Sequence, residues 1–436
     1  MKHIRFFILT LCLLAAFSGQ ARARSDSPLA IVLDADGAIM PAMQEYIERG
    51  ITVAERKGAG VLIIQLDTPG GDLLTTIEII QSMRASTVPV VVFVGPNGAI
   101  AGSAGALITM GGHASAMAPE TAIGASSPIS GSGEELDTTS ETKAKEISKA
   151  TIRPLVEPRG KQAVELAEAM IDVAKAATAD EALDAGLIDF ISSDTTELLK
   201  KLDGFTVQMA DGPRTLNTAG ARTETLPMSF IEELLLMLTD PNIVFLLITI
   251  GVQAILIEIS TPGGWVAGFI GVVCLALGGY GLGILPVNWF GLIFLVLAFV
   301  LFILDIKAPT HGALTTAGVA SFVVGALVLF NSPGTPQFQK VSLPLVVGAG
   351  IVTGLVFLVI VGFGIRAMRV PIRVGEESLV GKNGTARTLI DEMGGQVQLL
   401  SELWSAELAD GSAKVRKGDA VEVVEVKGLR LIVRKK

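Results

Sequence analysis

The second half of the chain holds a block of apolar segments near residues 243–259, 265–285, 289–304, 312–330 and 342–365. A helix needs roughly 20 such residues to cross the hydrocarbon of a bilayer. Inside lipid, a helix or a closed barrel is the way for the backbone to satisfy its polar groups. The block therefore predicts five membrane helices, with the third the shortest as a separate span. Trp265 and Trp289 fall at segment edges, where aromatic rings favour the interface. Half of the residues are hydrophobic and 18% are charged, whereas a soluble chain carries nearer a quarter charged. That excess is confined to the block, so the chain reads as soluble parts joined to a membrane part.

The N-terminus, "MKHIRFFILTLCLLAAFSGQARARS", has Lys2 and Arg5 before an apolar run and a small-x-small site at Ala21-Arg22-Ala23. This is the pattern of a secretory signal peptide cleaved after Ala23, which exports the adjoining segment. Arg366, Arg369 and Arg373 come after the fifth apolar segment, and the positive-inside rule puts that end in the cytoplasm. Counting back through five spans, or three if a pair is re-entrant, puts residues 24–228 outside. The expected location is a prokaryotic inner membrane, multi-pass, with an extracytoplasmic first domain. The net charge of −9 argues against a nucleic-acid partner. Cys12 and Cys274 lie in separate apolar runs and build neither a disulfide framework nor a thiolate metal site. No cofactor is expected.

Residues 27–225 alternate buried strands such as "AGVLIIQLD" and "VPVVVFV" with helical stretches such as "PAMQEYIERGITVAERKG". This alternation predicts an α/β domain with helices on the faces of a sheet. The polar stretch "SGSGEELDTTSET" reads as a loop and a candidate lid, and the helix after it is expected to be interrupted at Pro154 and Pro158. Ser229–Pro241, "SFIEELLLMLTDP", is amphipathic and suits a membrane surface. Beyond about Glu376, short alternating strands and glycine turns predict a five-stranded OB-type barrel. With Trp404 alone, this barrel lacks the aromatic platform that binds single strands, so an adaptor or assembly role suits it better.

Two features of the exported domain carry chemistry. "LDTPGG", Leu66–Gly71, ends a buried strand in a turn whose bare backbone can offer N–H groups to an oxyanion. The same letters also make an ordinary turn, as Ser260-Thr261-Pro262-Gly263-Gly264 does at a membrane loop. Ser103 stands at the next strand-to-helix junction, in "NGAIAGSAGALITMGGH". Adjacent junctions on one sheet edge converge on a cleft, so Ser103 is either a nucleophile or a helix cap among small packing residues. A nucleophilic serine needs a base. His3 belongs to the signal peptide, His311 falls at the cytoplasmic end of the third span, and His113 comes after a helix of about 15 Å that starts at Ser103. Lysine is the alternative, and Lys143, Lys145 and Lys149 are the candidates that spacing leaves open.

"LDTPGG" followed by "AGSAGALITMGGHASAMAPETAIGASSPI" resembles the Clp-protease and crotonase-like superfamily. The whole chain resembles the long form of the NfeD family of membrane-bound serine proteases. The resemblance implies Ser103 as nucleophile and Gly70, Gly71 and Ala104 as oxyanion-hole donors. Where soluble Clp proteases carry their histidine, Gly124–Pro128 has Ser126. The family's base is a lysine on the helix leading to an "RGRN"-like stretch, here "RGKQ" at Arg159–Gln162. That implies Lys143, with Lys145 as the alternative. The expected domains are a signal peptide at 1–23, a Clp-protease/crotonase-like domain at 24–228, a membrane region at 229–373 and an OB-like domain at 374–436. The implied activity is ATP-independent cleavage of hydrophobic segments, with a stomatin-like protein as substrate or associate and the bilayer as a further partner. A homo-oligomer, dimer or higher, is expected. The rivals are a membrane scaffold without proteolysis, and a crotonase-type acyl-thioester enzyme, which an exported domain disfavours.

Overall fold

The structure, a computed structural model, describes residues 27–128, 137–260, 265–308, 310, 312–331, 335, 339–368 and 378–436. The signal peptide with His3 and Cys12, most of the acidic loop, the Pro262–Gly264 turn, His311, Arg369 and Arg373 lie outside the described residues. The chain divides into two compact units, one ending at Phe357 and one beginning at Leu358.

The first unit opens with β1 (Leu29–Asp36), α1 (Pro41–Lys57), β2 (Val61–Asp67), α2 (Leu73–Ala85), β3 (Val90–Val94), β4 (Ile100–Gly102), α3 (Ala104–Gly111), β5 (Ala114–Met117) and β6 (Ala122–Gly124). It continues with α4 (Thr138–Val156), α5 (Lys161–Asp172), β7 (Ala176–Thr178), α6 (Ala179–Asp184), β8 (Phe190–Ile191), α7 (Thr195–Leu202), β9 (Thr206–Met209), β10 (Gly212–Thr215) and β11 (Arg222–Thr225). Six of these strands form one parallel sheet in the order β11-β1-β2-β3-β5-β8. Successive strand residues point to opposite faces. Ile31, Leu33, Leu62 and Ile64 meet α1–α5 on one face, and Val32, Val61, Ile63 and Phe93 meet α7 and β9 on the other. A sheet covered on both faces reads as continuous apolar runs, which is why β2 and β3 were legible. A smaller sheet, β4-β6-β7, flanks the large one.

One expectation is corrected. α4 runs unbroken through Pro154, and Pro158 falls in the 3-10 turn Glu157–Arg159. Pro154 stands in the last turn of the helix, where the missing N–H removes one bond and the chain is already ending.

α8 (Phe230–Met237) leads to five apolar helices: α9 (Pro241–Ser260), α10 (Val266–Ile284), α11 (Phe290–Lys307), α12 (Ala313–Phe330) and α13 (Leu343–Met368). By length and composition, and among the described residues, stretches within α9, α10 and α12 suffice to cross a membrane. Four of the helices form two hairpins, α9/α10 and α11/α12, which repeat one design at an offset of 47 residues (305 − 258). Glu258 accepts the N–H of Gly268, and Asp305 accepts that of Thr315, each ten residues further on (268 − 258 and 315 − 305). Gly271 packs against Ile255 and the Gly251 carbonyl, and Gly318 against Phe302 and the Ala298 carbonyl. Gly278 packs on Leu247 and Ile248, and Gly325 on Phe294 and Leu295. In each hairpin a carboxylate caps the second helix and small residues let the helices close.

The second unit carries β12 (Asn383–Ala386), β13 (Gly395–Leu399), β14 (Glu402–Leu408), β15 (Ala420–Lys427) and β16 (Arg430–Lys435). They close a barrel in the order β12-β13-β14-β16-β15, with β14 and β16 parallel and the other pairs antiparallel. Val397, Leu399, Ala406, Val421, Leu431 and Val433 fill it. This is the expected OB-like barrel.

Candidate active site

The site is built where β2 ends. Thr68 donates its N–H to the Ile100 carbonyl at 2.7 Å, Gly102 donates to the Thr68 carbonyl at 2.9 Å, and Ile100 donates to Asp67 Oδ1 at 2.9 Å. These bonds hold "DTPGG" along β4, the strand that delivers Ser103. On its other side the glycine turn is pinned by the turn after β1. Gly37 donates to the Asp67 carbonyl, Ile39 to the Gly70 carbonyl, and Asp72 to the Ile39 carbonyl, at 3.0, 2.9 and 2.8 Å.

Ser103 has φ 48° and ψ −110°, a strained conformation for a residue with a Cβ. Its N–H donates to the Gly124 carbonyl at 3.0 Å, and its carbonyl accepts from Ser126 Oγ at 3.1 Å and from Ala106 N–H at 3.1 Å. Its hydroxyl does not cap the helix it precedes and bonds to no described residue. Strand β4 ends and α3 begins at this one residue, so its side chain is turned out of both. The surrounding small residues are required by distance. A Cβ on Gly70 would lie 2.7 Å from Ser103 Cβ, and one on Gly105 would lie 2.5 Å from Thr68 Cγ2.

The backbone donors sort themselves by partner. The Gly70 N–H donates to Thr68 Oγ1 at 3.1 Å. The N–H groups of Gly71 and of Ala104, the first residue of α3, donate to no described residue. Gly71 is held by Ile39, whose carbonyl oxygen a Cβ at Gly71 would strike.

Among the lysines of α4, Lys145 pairs with Glu141 at 2.7 Å and donates to the Asp172 carbonyl at 3.1 Å. Lys149 pairs with Glu146 at 2.5 Å and Asp172 at 3.1 Å, and the hydrogen bonds it donates to those carboxylates hold its pKa above the ordinary lysine range. Lys143 is exposed and has no ion pair or hydrogen bond among the described residues. Its helix starts at Asp137, whose carboxylate accepts the N–H groups of Thr139 and Ser140. Just beyond its end, Arg159 binds Asp189 through both terminal nitrogens at 2.9 and 3.0 Å and donates to Ser115 Oγ at 3.1 Å. The arginine of "RGKQ" thus moors the lysine helix to β5 and the start of β8.

His113 lies at the other end of β3. Its Nδ1 accepts the N–H of Val90, the first residue of that strand, at 3.1 Å. It is 7% exposed, and its Nε2 has no partner among the described residues. Burial, then Arg84, pushes its pKa down to about 4, so the ring is neutral at pH 7. Ser126 was legible only as the residue standing where a histidine is lacking. Its bond to the Ser103 carbonyl carries no local sequence signature.

Three family models match the chain: NfeD1b, N-terminal domain, at residues 31–211; NfeD integral membrane domain at 242–363; and NfeD-like C-terminal, partner-binding domain at 376–435. The membrane-bound protease PH1510 of Pyrococcus horikoshii is 34% identical over 408 residues, 91% of each chain. The chain belongs to the NfeD family. The NfeD membrane protein NfeD1b of Bacillus subtilis is 24% identical over 456 residues, spanning 100% of this chain and 99% of its own. A solved structure of the membrane-bound, stomatin-specific protease 1510-N, a lysine-to-alanine mutant in complex with a substrate peptide, is 33% identical. It covers 49% of this NfeD chain and 98% of its own, at a TM-score of 0.45.

Proposed function

We propose that this NfeD protein is an ATP-independent membrane serine endopeptidase in which Ser103 is the nucleophile and Lys143 the base. The observation that carries the reading is the hydroxyl of Ser103, set on a strained backbone against Gly70; like the N–H groups of Gly71 and Ala104, it bonds to no described residue. Lys143 takes the hydroxyl proton as Ser103 Oγ attacks a peptide carbonyl carbon. The oxyanion is met by Gly71 and Ala104, while Gly70 gives the space for close approach. Lys143 then protonates the departing amine, and water releases the acyl group by the same steps in reverse order of partners.

Lys143 is preferred because Lys145 and Lys149 are already held in ion pairs with carboxylates, while Lys143 has no such pair among the described residues. An exposed lysine becomes a base only once a bound substrate takes it out of water. We extend to this chain the stomatin-type partner of its relative, as substrate or associate, and infer from the signal-peptide pattern that the catalytic domain is extracytoplasmic.

The test is cleavage of an apolar fluorogenic peptide by the full chain in lipid nanodiscs. Ser103→Ala abolishes it with the circular dichroism spectrum unchanged, and Lys143→Ala does the same while Lys145→Ala retains most of the rate. A Ser103→Ala rate equal to that of the parent would leave a scaffold for the partner as the reading. Loss in Lys145→Ala alone would move the base to Lys145.

A further inference from the structure

α8 has two faces of opposite character. Glu232 is 6% exposed and forks onto Arg49 of α1, Nε to Oε1 and Nη2 to Oε2, each at 2.7 Å. Arg49 also donates to the Pro227 carbonyl at 2.8 Å, and Tyr46 donates to the Leu226 carbonyl at 2.6 Å. On the same face, Leu236 lies 3.6 Å from where a Cβ on Gly37 would stand. Gly37 opens the turn that pins Asp67 and Gly70, so one residue separates α8 from the wall of the catalytic turn. Helical spacing sets Phe230, Ile231 and Met237 on the other face, where they are 78, 65 and 52% exposed. The membrane helix α9 begins at Pro241, three residues (238–240) after α8 ends.

We propose that α8 lies in the bilayer interface, with Phe230, Ile231 and Met237 at the boundary of headgroups and acyl chains. The occupant of this apolar face is lipid, because the face continues into a membrane-spanning segment without a linker that could lift it clear. The Arg49–Glu232 fork and the Leu236–Gly37 contact then fix the Ser103 cleft close to the membrane surface. The substrate class suited to such a cleft is a polypeptide segment emerging from the lipid boundary, in preference to a freely dissolved chain.

The cleavage arm of the test rests on the protease reading; the placement arm does not. In the full chain with Cys12→Ser and Cys274→Ser, in nanodiscs, nitroxide labels are placed at Phe230→Cys, Ile231→Cys and, as a site on the exposed surface of α5, Lys161→Cys. Labels at the first two sites are relaxed more by dissolved oxygen than by a water-soluble nickel chelate, and the label at the third shows the reverse. Chelate dominance at all three sites would overturn the placement. In the second arm, one apolar peptide is offered free in solution and tethered to lipid. Phe230→Ser with Ile231→Ser slows cleavage of the tethered form by at least about tenfold and of the free form by less than about twofold. Equal slowing of both forms, or of neither, would overturn the positioning role. If the parent cleaves neither peptide, the protease reading fails while the labels still judge the placement.

Discussion

Gly70 and Ser103 stand so close that a Cβ on the first would lie 2.7 Å from the Cβ of the second. Gly70 also has φ +126°, a region that residues with a Cβ seldom enter. Gly70→Ala therefore both strains the turn and pushes Ser103, the proposed nucleophile, out of line. The expected outcome is a folded protein destabilised by about 1–3 kcal/mol whose cleavage rate falls by about 100-fold or more. Paired circular dichroism and peptide-cleavage assays check it. Retention of the parent rate would show that the contact has no bearing on the chemistry.

Ser103 itself is held at φ 48° and ψ −110°. Strain of this kind costs about 1–3 kcal/mol and persists where the surrounding structure enforces it. Ser103→Gly relieves it and removes the proposed nucleophile together, so stability is expected to rise as activity disappears. A gain of about 1–2 kcal/mol corresponds to roughly 2–8 °C in the transition of a domain this size. Scanning calorimetry of Ser103→Gly beside Ser103→Ala checks this, since alanine removes the hydroxyl but keeps the strain. Equal midpoints for the two variants would show that the conformation is unstrained.

The periodicity of the sequence made the parallel sheet, the helix starting at Ser103 and the barrel legible, because each depends on runs of neighbouring residues. What it left open depends on distant pairs. The capping box Ser229–Glu232 is local, yet the partner of Glu232 is Arg49, 183 residues away. Similarly, "DTPGG" announces a turn, but the bond from Gly70 to the Thr68 hydroxyl, which leaves the Gly71 and Ala104 N–H groups without a partner among the described residues, needs coordinates. Ser126 is the clearest case. Its hydroxyl supports the Ser103 carbonyl across 23 residues, and nothing beside it in the sequence says so.

His113 gives a pH dependence of stability that is separate from catalysis. Its folded pKa is about 4, below the ordinary 6.5, because burial disfavours the charged ring. The unfolded chain binds this proton as pH falls through 6.5, and the folded chain does so only near 4. The stabilisation is thus fully present above pH 6.5 and is lost on acidification toward 4, with an upper bound of about 3 kcal/mol. His113→Asn keeps an acceptor near Val90 N–H and removes the titration. Denaturant midpoints at pH 7 and pH 4.5 are expected to differ less in this variant than in the parent. An identical difference would assign the acid sensitivity elsewhere.

The two membrane hairpins make an internal comparison. Asp305 is 1% exposed and accepts from Thr315 N–H, Thr315 Oγ1 and Thr310 Oγ1. Glu258 is half-buried and accepts from Trp265 N–H at 3.0 Å and Gly268 N–H at 3.3 Å. Each carboxylate satisfies donors at the start of a helix, and a buried donor orphaned there costs about 1–3 kcal/mol. The shorter side chain, with closer and more deeply buried partners, has fewer substitutes when it is lost. Asp305→Ala is therefore expected to weaken the α11/α12 hairpin more than Glu258→Ala weakens α9/α10. Water can reach the donors of the half-buried cap and cannot reach those of the buried one. Titration of the full chain with sodium dodecyl sulfate, monitored by circular dichroism, orders the variants: Asp305→Ala unfolds first, then Glu258→Ala, then the parent, with Asp305→Asn between the last two because its amide oxygen still accepts. A reversed order would mean that the depth of the cap does not set the strength of the hairpin.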